Sequence, residues 1–128
     1  MKIGTAKKRA WKAFSEWVRR SNADHAGYVM CCSCQRTFHW KEVDAGHYIP
    51  KSRGNAIYFD ERNVNPQCKG CNISEGGKFE DHARYIAAKH GEHTLEELRQ
   101  LSKTVKRFTV KELDSLCKEY RQRINELP

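Results

Sequence analysis

The chain has 128 residues, 38% hydrophobic and 31% charged, a balance that suits one domain with a modest core and excludes a membrane-embedded protein. No run of about 18 apolar residues exists, and the stretch MKIGTAKKRAWKAF has no apolar core followed by a small-residue cleavage site, so the reading is of a cytosolic chain. Net charge is +8 and unevenly spread: residues 1–78 hold 14 Lys and Arg against 7 Asp and Glu, residues 79–128 hold 10 against 9. This points to a polyanionic partner that meets the N-terminal part of the chain.

Residues 7–20 (KKRAWKAFSEWVRR) place Ala10, Trp11, Phe14, Trp17 and Val18 at helical spacing, with Lys7, Lys8, Lys12, Arg19 and Arg20 on most of the other positions. The spacing predicts an amphipathic helix whose aromatic face packs on the domain and whose basic face is placed to grip phosphates. Residues 21–27 (SNADHAG) read as the turn that ends it, with His25 on the surface. Residues 28–41 (YVMCCSCQRTFHWK) alternate and are rich in aromatics, the pattern of a short strand, a tight turn and a return strand.

From Phe79 the pattern turns helical, with Phe79, Ala83, Ile86 and Ala87 recurring up to His90 and Gly91 placed to cap the end. Thr94 with Glu97, and Thr109 with Glu112, have capping-box spacing. The first predicts a helix through Leu101. The second predicts one through Leu127, with an apolar stripe of Val110, Leu113, Leu116, Cys117, Tyr120 and Ile124, on which Cys117 is expected as a buried thiol. The balanced charge of this tail suits packing or dimerisation rather than DNA. The expected organisation is a single domain over 1–128, with a basic amphipathic helix in 1–22, a cysteine-rich core in 28–78 and a helical tail in 79–128.

Six cysteines are present: Cys31, Cys32, Cys34, Cys68, Cys71 and Cys117. In a reducing compartment the two Cys-x-x-Cys spacings argue for zinc thiolates rather than disulfides. Cys31 is preferred over Cys32 because the x-x spacing lets both sulfurs of Cys31 and Cys34 face one tetrahedral ion. Between Cys34 and Cys68 lie 33 residues, too many for a simple zinc ribbon, so the insertion must itself fold. A hairpin fits, followed by a helix whose start bears the second pair. The fold class expected is α+β, a small zinc-stapled treble clef with helices at either end.

The insertion carries Gly46, His47, Tyr48, Ile49, Pro50, Lys51, Ser52, Arg53 and Gly54, then Asn63 ahead of Cys68, then Cys71 and Asn72. This series resembles the His-Asn-His (ββα-metal) endonuclease signature in its zinc-stapled form. The whole chain, from AWKAFSEWVRR through DAGHYIPKSRGN and NPQCKGCN to the helical tail, resembles the NinG (Rap) recombination endonucleases of lambdoid phages. The resemblance implies a metal-dependent DNA endonuclease acting on branched intermediates such as D-loops or Holliday junctions. It gives His47 the role of general base and Asn63 that of the amide that holds the hairpin and orients the histidine. It places Asn72 beside a catalytic metal.

Phosphodiester hydrolysis needs a base to deprotonate water, a divalent cation to offset charge, and donors to hold the phosphate. A neutral imidazole is a suitable base near pH 7. The sequence departs from the signature at Gly46, where an acidic or histidine ligand normally stands. Asp44 shares a strand face with position 46, so its carboxylate is a candidate replacement; the other reading is an ordinary strand-edge aspartate. Hard oxygen donors at Asp44 and Asn72 favour magnesium or manganese over zinc. Lys51, Arg53, Arg62, Lys69 and Lys78 surround the motif as candidate phosphate contacts, Arg53 foremost because its loop directly follows His47. Two other readings stand beside the enzyme: a non-catalytic zinc module that binds nucleic acid, and a protein-binding treble clef, which leaves the charge asymmetry unexplained. Symmetric cleavage of a four-way junction would call for a homodimer.

Overall fold

The apolar stripe of the first helix finds its partner at the other end of the chain. A computed structural model of the protein describes residues 1–50, 55–73 and 78–128. In chain order the elements are α1 (Ile3–Ser21), β1 (Tyr28–Met30), β2 (Thr37–His39), β3 (Val43–His47), β4 (Val64–Cys68), α2 (Lys69–Ile73), α3 (Phe79–His90), α4 (His93–Ser102) and α5 (Val110–Asn125), with short 3-10 turns at Trp40–Glu42 and Asn55–Ile57. The class is α+β. No described helix is long and apolar enough to cross a membrane.

Helix α1 begins before residue 7 because Ala6 also has an apolar neighbour, Leu113 of α5. Its buried residues are Ala6, Ala10, Ala13, Phe14 and Val18. Small alanines let α1 lie close to α5, and Phe14 meets Tyr120 edge-on at 4.8 Å. The same cluster takes in Ala45 of β3 and Val64 of β4, so α1 covers one face of that strand pair. Tyr48, Ile57, Ile86 and Leu98 form a second cluster that ties α3 and α4 to the segment after β3. Cys117 is half-buried at the edge of the α1/α5 packing, rather than sealed within it.

Both predicted hairpins are present. Strands β1 and β2 pair antiparallel with Val29 opposite Phe38, and β3 and β4 pair with Val43 opposite Cys68, Ala45 opposite Pro66 and His47 opposite Val64. Pro66 has no N–H to give, but its carbonyl accepts the Cys32 N–H at 2.8 Å, so the outer edge of β4 is bonded to the turn after β1.

Of the two predicted capping boxes, one forms. The Thr109 hydroxyl accepts the Glu112 N–H and the Glu112 carboxylate accepts the Thr109 N–H, opening α5, which ends at Asn125 rather than Leu127. Thr94 does not cap α4. The chain turns at Gly91 with φ of 100°, and the Gly91 and Glu92 carbonyls already receive the N–H groups of Thr94 and Leu95, leaving Thr94 inside the helix with its hydroxyl donating to the His90 carbonyl.

Candidate metal centre and the hairpin beside it

Four sulfurs converge where the β1–β2 turn meets the junction of β4 and α2. The Sγ atoms of Cys31, Cys34, Cys68 and Cys71 all lie within 4.8 Å of one another, and Cys34 and Cys68 are 3.9 Å apart. A tetrahedron of thiolates about 2.3 Å from a zinc ion has edges of about 3.8 Å, so the four residues can hold one such ion. Local backbone geometry prepares the charge. Burial pushes the Cys31 thiol up, but N–H groups of Cys68, Cys34 and Ser33 point at its sulfur from 3.3 to 3.5 Å and outweigh it, bringing its pKa down to about 7. Gln35, at φ of 64°, closes the turn so that its N–H reaches the Cys31 carbonyl. Cys32 points away from the cluster, and burial pushes its thiol up to about 12. Among the described residues no other trio of His, Cys, Asp or Glu is close enough to hold an ion.

Successive residues of β3 look to opposite sides, and the two sides differ in chemistry. On the α2 side the Asp44 carboxylate accepts from Lys69 Nζ at 2.8 Å and from the Asn72 amide at 3.1 Å. Asp44 and Asn72 are thus brought together, with Lys69 bound to the same carboxylate. A Cβ at Gly46 would overlap the Gln67 amide oxygen and lie 3.0 and 3.1 Å from its Cδ and Cβ. Position 46 therefore has no room for a larger side chain while Gln67 keeps its place. Gln67 is fully buried and its Nε2 donates to Ser33 Oγ at 2.8 Å. Next along β4, buried Asn65 bonds His82 Nε2 at 3.0 Å. Burial, and then the charge of His47, lowers the His82 pKa to about 4, so this histidine is neutral at pH 7.

His47 ends β3 on the α1 side. Its ring stacks on Trp11 with centroids 4.9 Å apart and 16° between planes, and its Nε2 lies 3.1 Å from the Tyr58 carbonyl oxygen. A carbonyl can only accept, so in neutral His47 Nε2 carries the proton and the lone pair falls on Nδ1. Asn63 holds the chain just beyond: its Oδ1 accepts the Ile49 N–H at 2.9 Å, its Nδ2 donates to the Ile49 carbonyl at 3.1 Å, and its own carbonyl accepts the Tyr48 N–H. These bonds extend the β3–β4 pairing past His47 and fix the strand end that carries it. Asp44 and His47 face opposite sides of β3 and are not joined.

The basic residues divide. Lys69 is paired with Asp44. Arg62 is held by Asp60 and by Glu97 of α4 at 2.7 to 3.1 Å, with the Asp60 carboxylate keeping its pKa above the usual arginine range. Lys78 is exposed, preceding α3 in a left-handed conformation. Lys51 and Arg53 lie outside the described residues. Sequence reasoning passed over three participants: His82, Gln67 and the stacking of Trp11 on His47. The first two gave no periodic signal, whereas Trp11 was legible as core but not as the partner of the histidine.

These contacts define a class first: a small α+β protein in which one four-thiolate centre can staple a hairpin to a helix start while the hairpin presents a histidine. The chain belongs to the NinG family, whose model, described as Bacteriophage Lambda NinG protein, matches residues 2–128. It is 27% identical to protein NinG of Escherichia phage lambda over 120 residues, covering 94% of this chain and 56% of that relative. It is 28% identical over the same length to the NinG proteins of Escherichia phage 933W and Salmonella phage P22, covering 57% and 56% of them. The chain therefore spans little more than half the length of these relatives. No solved structure matches it.

Proposed function

We propose that the protein is a metal-dependent DNA endonuclease that hydrolyses phosphodiester bonds, with His47 as general base. The observation that carries the reading is the 3.1 Å contact of His47 Nε2 with the Tyr58 carbonyl: a proton on Nε2 leaves the basic lone pair on Nδ1, the nitrogen on which a water proton would be taken. Asn63 acts as a positioning residue, holding Ile49 and with it the end of β3. Trp11 covers one face of the imidazole and sets its plane. The cysteine centre fixes where β4 ends and α2 starts, and so where Asn72 stands relative to Asp44.

Asp44 and Asn72 offer oxygen donors for magnesium or manganese, and the Lys69 ammonium on the Asp44 carboxylate marks a place that already takes positive charge. A divalent ion bound there would supply charge to offset that of a phosphate. Because Asp44 and His47 face opposite sides of β3, the base and the metal seat are separate claims with separate tests. The preference for D-loops or Holliday junctions rests on the resemblance to recombination endonucleases, and a homodimer on the symmetry of such a junction.

The test incubates the full chain with labelled branched and linear DNA, with and without magnesium or manganese, beside His47→Ala and Asp44→Ala. Metal-dependent cleavage that is lost in His47→Ala is expected; cleavage undiminished in that variant would remove the base. Full activity of Asp44→Ala would remove the metal seat while leaving His47 in place. Binding without cleavage under either metal would establish the alternative, a zinc module that binds nucleic acid.

A further inference from the structure

A second cationic feature lies away from the motif, where the C-terminal end of α1 meets the 3-10 turn at Trp40–Glu42. Three cations gather on one indole: Arg19, Arg20 and Lys41 stand 5.4, 5.1 and 5.7 Å from the centre of the Trp40 ring. Two are held there by other bonds. Arg19 donates to the Trp40 carbonyl at 3.2 Å and to Ser15, and Arg20 to Glu16 at 3.1 Å. The turn itself is locked, with the His39 ring accepting the Lys41 N–H and Glu42 accepting the His39 N–H. Glu16 is shared between Arg20 and Arg121, and Asp44, the other carboxylate that Arg19 senses, is engaged by Lys69. Among the described residues neither Arg19 nor Lys41 has a carboxylate within ion-pair distance, so like charges are crowded with an unmet demand for an anion.

An aromatic face relieves part of this repulsion by attracting each cation to its quadrupole, but it is neutral and cannot cancel the charge. A polyanion can. We propose that Arg19, Arg20 and Lys41, gathered around Trp40, seat adjacent backbone phosphates of DNA at a second contact outside the His47 motif. The inference rests on the reading that DNA is the partner and not on cleavage. Trp11, which stacks on His47, lies eight to nine residues earlier in α1, roughly 12 to 14 Å along the helix axis. That axial distance is about four nucleotides of a B-form strand at about 3.4 Å each, so the two places are separate contacts rather than one site.

The experiment measures binding of a short fluorescein-labelled duplex by anisotropy, from about 50 to 200 mM salt. It compares the wild-type chain, Arg19→Gln/Arg20→Gln/Lys41→Gln, and a control that neutralises Lys111 and Lys118 on the exposed side of α5. Each phosphate-contacting cation removed should flatten the plot of log Kd against log salt by about 1, so the triple variant is expected to lose about 2 to 3 and the control much less. Lys41→Gln alone guards against misfolding, since among the described residues its side chain makes no hydrogen bond or ion pair and only stands over the Trp40 ring, and should lose about 1. If the wild type binds with a steep slope and both variants keep it, this seat is refuted and the DNA reading survives. If the wild type shows no salt-dependent binding at all, the DNA reading falls and takes this inference with it.

Discussion

The two faces of the β3–β4 hairpin are built on different rules. Toward α1, Ala45 and Val64 pack among Ala13, Phe14, Val18 and Tyr120, and His47 lies flat on Trp11. Every contact there is shared by several side chains, so shape and apolar area decide the outcome. Toward α2 and α3, specific polar partners decide: buried Gln67 pairs with Ser33 and buried Asn65 with buried His82, while half-buried Asp44 is shared by Asn72 and Lys69. Each such pair is modest in net worth but costly to break, because the deserted partner stays out of water. The first face tolerates exchange; the second specifies.

The strongest way to break this comparison is to remove the metal. Zinc bound by four thiolates contributes on the order of 10 kcal/mol in small folds, comparable to the whole stability of a domain this size. Elemental analysis should give one zinc per chain. Cys68→Ser or a strong chelator should abolish the cooperative melting transition seen by circular dichroism; a transition that survives stripping would mean the polar face holds without its staple.

The pH dependence of stability tests the Asn65 and His82 pair. Unfolded His82 would titrate near 6.5, whereas the folded group is held near 4 by burial. Between those values the unfolded chain takes up the proton and the native one does not, so stability is full above pH 6.5 and falls as pH drops toward 4, by about 3 kcal/mol. Denaturant melts of wild type and His82→Gln across this window should show a shallower decline in the variant. Parallel curves would exclude His82 as the source.

A smaller effect is expected where the faces meet. Gly46→Ala drives a methyl into Gln67 and should cost about 1 to 3 kcal/mol. Combined with Gln67→Ala the loss should be clearly less than additive, and simple additivity in denaturant melts would show that Gln67 does not fill the space. Smallest is Thr109→Ala, outside the hairpin, which removes the α5 cap and should cost about 1 kcal/mol in the same melts. It serves as the yardstick for a single polar pair at the surface.

This contrast also explains what could be read from the chain alone. The stripe of α1, both hairpins, the choice of Cys31 over Cys32 and the cap of α5 were all legible, because each is fixed by spacing along the sequence. Asn63 was singled out only through the family resemblance; in the structure its side-chain amide bonds the Ile49 backbone. His82, Gln67 and the Arg62 bridge to Glu97 were not legible. Their partners lie 17, 34 and 35 positions away, and no local period announces a one-to-one pair between residues so far apart. Thr94 failed for the opposite reason: the local signal was present, but the turn at Gly91 lets α4 begin at His93, so Thr94 lies inside the helix rather than at its cap.

The packing of α1 against α5 sets an order on how the molecule can be assembled during synthesis. All four clustered cysteines have been made once Cys71 is complete, so that loop can close early and locally around an ion. The apolar stripe of α1 must wait for Leu113, Tyr120 and Ile124, which are synthesised well after the cysteines. Closing so long a loop is entropically slow unless its middle is already folded. An ion held by the four cysteines would compact that middle and shorten the search that brings α1 and α5 together.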